Sequence, residues 1–330
     1  MTQFTGTFST YDAADGIREE LADLITNISP EETPFVSMIG RGSSSNTYSE
    51  WLTDSLSAAS STNFQIEGDD LTGYTTATGR VRLGNYAAIS RKTVLVTGTQ
   101  RAVNNAGLSD ELGYQVAKMG KELRLDIEKI VCGPQPAVAG NDTSARKTAG
   151  FESFLSVALG SAVNNSSTGT TDPTLSGSTK GYPDAAAVEG TARAFSEVIL
   201  KDVLKQGWTN GANLRVCIVG PVNKARASGF TGIADIRKEA PGTKQATIMG
   251  AADVYVGDFG KVTFVPSRLS REKSALFPDP EYLVLDFVRP YQLEDMAKTG
   301  DADKRMLVAE YNLRVTSLAA HGIARDLTTT

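Results

Sequence analysis

A single histidine, His321, occurs in the 330 residues, set between Ala320 and Gly322 near the C-terminus. An imidazole is the usual general base near neutral pH, but no second histidine completes an H-E-x-x-H pair, and its small neighbours carry no carboxylate to orient it. A structural role is expected. Cys132 and Cys217 belong to no C-x-x-C pair, so neither a disulfide framework nor a thiolate zinc site is supported, and both read as buried small apolar residues. Gly177-Ser178-Thr179-Lys180-Gly181 has Thr179 where a nucleophile elbow needs serine, within a polar loop. Gly257-Asp258-Phe259-Gly260-Lys261 ends like a phosphate-binding loop, yet its first glycine is misplaced and Val262 replaces the magnesium-binding Ser or Thr; a turn between two strands is expected. Glu67-Gly68-Asp69-Asp70 lacks the alternating ligands of a calcium loop and reads as a solvated turn, and the run from Asp301 and Asp303 fails at Arg305. No catalytic residue, cofactor site or metal site is expected.

Composition points the same way. Thirty-three Lys and Arg against 38 Asp and Glu leave a net charge of −5, without the basic excess of a protein that reads nucleic-acid sequence. A 40% apolar fraction over this length supports a sizeable core, with room for about two domains at roughly 150 residues each. The stretch MTQFTGTFSTYDAADG has neither the basic n-region nor the apolar h-region of a secretory signal, and the longest apolar runs are far too short to span a bilayer. Synthesis in a cytoplasm, with no membrane partner, is the expectation.

The elements that must position any site follow from periodicity. Ile17, Leu21, Leu24 and Ile28 predict a helix from Asp15 to Asn27, stopped by Ser29-Pro30, and Thr33-Pro34-Phe35 predicts an extended elbow. From Asn46 the period changes to two: Thr47, Ser49 and Trp51 on one side of a strand, Tyr48, Glu50 and Leu52 on the other. Arg80-Val81-Arg82-Leu83 alternates in answer, and a β-rich stretch runs from Tyr86 to Val96. Residues 53 to 79 offer few sizeable apolar side chains, Phe64, Ile66, Leu71 and Tyr74 among them, a tip with little core of its own on a ribbon that needs another chain to rest on.

Leu112, Val116, Met119, Leu123, Ile127 and Ile130 predict one long helix over Leu108 to Val131, with Ser109 and Asp110 as capping oxygens and Gly133-Pro134 as its end. Its expected partner is a long C-terminal strand presenting Leu307, Ala309, Tyr311, Leu313 and Val315. Between them lie a helix over Thr191 to Gln206 capped by Gly207, a strand Leu214 to Val219, a helix opened by Gly220-Pro221, strands Asp253 to Val256 and Val262 to Val265, and a buried strand Tyr282 to Val288. Residues 161 to 190 include 20 Ser, Thr, Gly, Asn, Asp or Pro and read as a surface loop.

This order of parts, together with Tyr11-Asp12, Ile17 to Ile25, Asn27-Ile28-Ser29-Pro30, Thr33-Pro34-Phe35, Glu50-Trp51, Thr53-Asp54 and Glu67-Gly68, resembles the major capsid proteins of tailed bacteriophages. The resemblance implies an α+β fold: a long spine helix on a long β-sheet, a compact mixed α/β axial domain and an extended β-ribbon. It assigns residues 1–40 to an N-terminal arm, 41–97 to the extended loop, 98–133 with 291–330 to a peripheral domain, and 134–290 to the axial domain. The implied function is that of a structural subunit of an icosahedral shell, forming hexamers and pentamers that enclose double-stranded DNA without reading its sequence, assembled in the bacterial host cytoplasm into the virion.

A separate scaffolding protein is implied, because the arm helix begins by about Asp15, and a portal is a further partner. Some relatives cross-link through a lysine on the extended loop; residues 41 to 90 contain none. The residues expected to meet a neighbouring subunit are Tyr48, Trp51, Glu67, Asp69, Asp70, Arg80 and Arg82. A cellular nanocompartment shell and a soluble α/β enzyme stand as alternatives at this point.

Overall fold

A computed structural model describes residues 29, 31–70, 73–74, 79–103, 110–157, 163–169, 172–230 and 254–329. The helix expected over Asp15 to Asn27 lies outside them, as does Ser109. The first element is helix α1, Pro34–Met38, where an extended elbow is expected from the X-Pro sequence. Proline at the first helical position presents no orphan N–H, and the next two backbone N–H groups are taken by a carboxylate about ninety residues away in sequence, so the turn closes into a helix.

Strand β1 (Gly40–Ser43) leads into the ribbon strands β2 (Tyr48–Thr53) and β3 (Val81–Tyr86), which pair antiparallel with Trp51 opposite Leu83 and Tyr48 opposite Tyr86. The β-rich run does not continue as one strand. It breaks at Ala87, whose N–H bonds the Thr47 carbonyl, and β4 (Ala88–Thr97) leaves for another sheet.

Helix α2 (Gly98–Ala102) follows, and then the spine, α3, spans Glu111–Cys132. The Asp110 side chain accepts from the Leu112 N–H at its start and Gly133 ends it, as its sequence requires. Leu112, Met119, Leu123, Ile127 and Val131 form its buried stripe. Alternate residues of β4 and the expected C-terminal strand lie beneath that stripe, with β4 taking the larger share of the contact.

The middle of the chain supplies α4 (Phe151–Leu155), β5 (Asn164–Ser166), α5 (Glu197–Thr209), β6 (Val216–Val219), α6 (Pro221–Ala227), β7 (Val254–Gly257), β8 (Gly260–Pro266) and β9 (Ala275–Phe277). Then come β10 (Leu283–Asp295), β11 (Ala302–Val315) and β12 (Gly322–Ala324). Helix α5 starts later and ends later than its pattern suggests. Residues before it pair with the C-terminus through Arg193 and Thr328, and Gly207 is not a cap but a buried position in the helix, its missing side chain leaving room for Leu214.

Two sheets organise the molecule: a four-stranded sheet ordered β1-β10-β11-β4, and a six-stranded sheet ordered β5-β12-β9-β6-β8-β7. Strand β10 runs without a break through residues 290 and 291, the expected domain boundary, although its register with β11 shifts twice between Phe287 and Gln292, around Pro290, which has no N–H for the ladder. One apolar core lies under α1 and α3, from Phe35 and Leu123 to Tyr311 and Leu313; a second, around Leu200, Val219, Phe264 and Phe277, fills the six-stranded sheet.

The loop reading of residues 161 to 190 needs correction. Asn164 to Ser166 form the edge strand β5, and Leu175 is buried in the main core. Polar staples add to the few buried apolar contacts that hold this segment: the Asp326 carboxylate accepts the N–H groups of Thr168, Gly169 and Gly190, and Arg325 reaches Asp172 and the Val188 carbonyl. Composition alone cannot show staples donated from the far end of the chain.

Candidate assembly surface

The catalytic candidates are placed in structural settings. His321 is fully buried against the Phe151 ring; its Nδ1 accepts from the Asp279 N–H at 3.0 Å, and burial holds its pKa down to about 3. Cys132 and Cys217 are free and buried, and burial pushes both thiols up. Gly257 to Gly260 form the turn between β7 and β8. Asp303 is taken by Arg101 and Lys298. Among the described residues no group of three His, Cys, Asp or Glu side chains is placed to hold a metal ion, and no helix is long and apolar enough to cross a membrane.

The ribbon has two faces of different character. On the inner face Trp51 packs near Phe154, and its Nε1–H donates to the Val315 carbonyl at 2.8 Å. Asn85 binds the Leu313 carbonyl, the Ala149 N–H and Thr148. Trp51, expected to meet a neighbour, is therefore an anchor inside its own chain, because strand alternation turns it with Leu83 toward the body.

The outer face carries Tyr48, Glu50, Leu52, Asp54, Arg80 and Arg82. Tyr48 stacks on Tyr86 with ring centroids 4.6 Å apart and meets Tyr182 edge-on at 5.9 Å. Burial, with Glu50 beside it, raises the Tyr48 phenol to about 12, so it stays a neutral hydroxyl. Arg82 lies 3.7 Å from Glu50 and Arg80 lies 3.6 Å from Asp54. The expected carboxylate partners of the arginines are thus first supplied by the ribbon itself, in loose and exposed pairs that contribute little to stability.

Sequence reasoning missed the wall beside this face. Residues Ser176 to Gly181 turn back, with Ser178 at φ 66°, and Gly181 exchanges two backbone hydrogen bonds with the Arg82 to Gly84 edge of β3. The polar stretch that failed as a nucleophile elbow is a turn that caps a strand edge. Between it and the ribbon runs a groove of about 600 Å³ lined by Glu50, Leu52, Arg80, Arg82, Thr179 and Lys180.

Beyond Thr53 the ladder stops, within a residue of where the sequence alternation ends. The described residues from Asp54 to Arg80 form turns but no strand, and Glu67, Asp69 and Asp70 sit exposed around Gly68, whose φ is +82°. Leu56, Phe64, Ile66 and Tyr74 are also exposed; Phe64 is 85% and Ile66 80% open to solvent. Single exposed apolar residues are ordinary, but four on one segment, with no apolar partner among the described residues, make this the candidate contact surface.

Comparisons with known proteins cover nearly the whole chain. Residues 1–328 match the sequence profile of the SU10 major capsid protein family. A major capsid protein of Escherichia phage Phieco32 is 28% identical over 347 aligned positions, which cover 96% of each chain. Among solved structures, the capsid asymmetric unit of cyanophage A-1(L) superposes with a TM-score of 0.64 at 12% identity, over 98% of this chain and all of that one. A chain of Microbacterium phage Oxtober96 gives 0.58 at 13% identity, over 97% of this chain and 98% of its own.

Proposed function

From the premise that the chain belongs to the SU10 major capsid protein family, we propose how its parts build a shell. The protein is a structural subunit of a phage capsid and not an enzyme. Copies associate as hexamers and pentamers around double-stranded DNA, which the net charge of −5 leaves held without sequence reading. Residues 1–40 act as the arm and 41–97 as the extended loop. Residues 98–133 with 291–330 act as the peripheral unit, to which the whole of β10 contributes from Leu283, and the six-stranded sheet forms the body of the axial unit. A separate scaffolding protein and a portal join the assembly in the host cytoplasm.

The observation that carries this reading is the ribbon: a root locked by Trp51 and Asn85, bearing a tip whose Phe64 and Ile66 stand exposed, without a partner among the described residues. Deleting residues 55–78 tests it. The expected product keeps its circular dichroism and sediments as a monomer or small oligomer, with no particles by negative-stain microscopy. Particles of normal appearance from the deletion would defeat the proposal. Arg80→Glu with Arg82→Glu should weaken assembly less than the deletion does, since those side chains are already paired within the ribbon.

A further inference from the structure

The groove beside the ribbon root is not filled by any of the described residues. Its floor is Leu52, 58% exposed, and its rim holds Arg80, Arg82 and, on the facing turn, Lys180, which makes no ion pair among the described residues. The tip of the same chain is complementary. From Ser55 to Gly79 it contains Glu67, Asp69 and Asp70 with no lysine or arginine, and Phe64 and Ile66 stand exposed just before the acids.

We propose that the segment Phe64–Asp70 of one copy seats in the root groove of a second copy, its apolar residues on Leu52 and its carboxylates toward Lys180, Arg80 and Arg82. This rests on the capsid reading and names the partner surface that reading leaves open. Tip and groove are different patches of one chain, so the contact is head-to-tail, and a head-to-tail contact that repeats by rotation closes a ring. Arg80 and Arg82 already face Asp54 and Glu50 in loose, exposed pairs, so they are free to exchange partners, and Lys180 is the rim cation with no carboxylate of its own among the described residues.

A second cleft competes for the acidic tip: Arg91 and Lys129 border it, with Ile130 and Leu269 on its walls. Engineered disulfides in the full-length protein discriminate between the two. Ile66→Cys combined with Leu52→Cys, assembled and then oxidised with copper phenanthroline, should give a ladder on a non-reducing gel. At least half the chains should migrate above monomer, the ladder should end at a ring, and reduction should collapse it.

Native Cys132 and Cys217 are buried and add little background. Asp69→Cys with Thr179→Cys gives an independent pair if Leu52→Cys lowers solubility. Ile66→Cys with Lys129→Cys should leave nearly all chains monomeric on the gel. The opposite pattern, or normal particles that yield no ladder from either groove pair, overturns the inference while the capsid reading stands. If the unmodified chain builds no particles even with its phage's assembly factors, both fall.

Discussion

Two buried titratable side chains act on stability in opposite directions with pH. His321 has its pKa held at about 3, below the usual 6.5, so the folded state resists the proton that the unfolded chain accepts. Its contribution is complete above pH 6.5 and is lost as pH falls toward 3, on the order of 5 kcal/mol at ~1.4 kcal/mol per pKa unit. His321→Asn, which keeps an acceptor for the Asp279 N–H, should flatten the fall in urea-denaturation free energy between pH 6.5 and 4. Glu128 behaves in the reverse sense. Its two oxygens accept the Phe35 and Val36 N–H groups at 2.9 and 2.7 Å, yet burial raises its pKa above 4.5. The folded state therefore favours the protonated acid, and Glu128 withdraws stability as pH rises from 4.5 through its folded pKa. Glu128→Gln leaves one of the two N–H groups without its acceptor, so thermal unfolding at pH 7 should show a loss of about 1–3 kcal/mol. An unchanged melting temperature would mean that α1 does not depend on this cap.

At the scale of elements, the ribbon root and the turn beside it make different demands. Trp51→Ala removes a large buried ring and the bond to the Val315 carbonyl, and should cost about 3–5 kcal/mol in chemical denaturation. Trp51→Phe should cost less, keeping most of the packing. A short polar insertion between Ser178 and Thr179 lengthens an exposed turn and should shift unfolding by less than about 1 kcal/mol. The strength of local signals explains what was legible in the sequence. The spine helix, with its Asp110 cap and Gly133 end, and the pairing of β2 with β3 were readable because periodicity, caps and alternation are written within a few residues. Helix α1, strand β5 and the inward turn of Trp51 were not, because each is decided by a partner far along the chain: Glu128 for α1, Asp326 and Arg325 beside β5, Val315 for Trp51. The surface candidates divided in the same way. The exposure of Glu67, Asp69 and Asp70 followed from composition, whereas Lys180 was invisible as a groove residue until the turn that carries it was seen to fold against β3.

Over the whole molecule, the C-terminal segment is built into the middle of the fold. Strand β12, from the last ten residues, lies between β5 and β9, and β11 lies between β10 and β4. Truncation after Val315 removes β12, His321, Arg325 and Asp326 together, taking out an interior strand and the staples of residues 163–190. The expected result is insoluble protein, checked by fractionating lysates of cells expressing the full and truncated chains; a soluble truncated chain with native circular dichroism would contradict it. The position of β12 also imposes an order in time. It separates β5 from β9 and is made after both, so the six-stranded sheet of a nascent chain holds an open gap until β12 emerges and fills it.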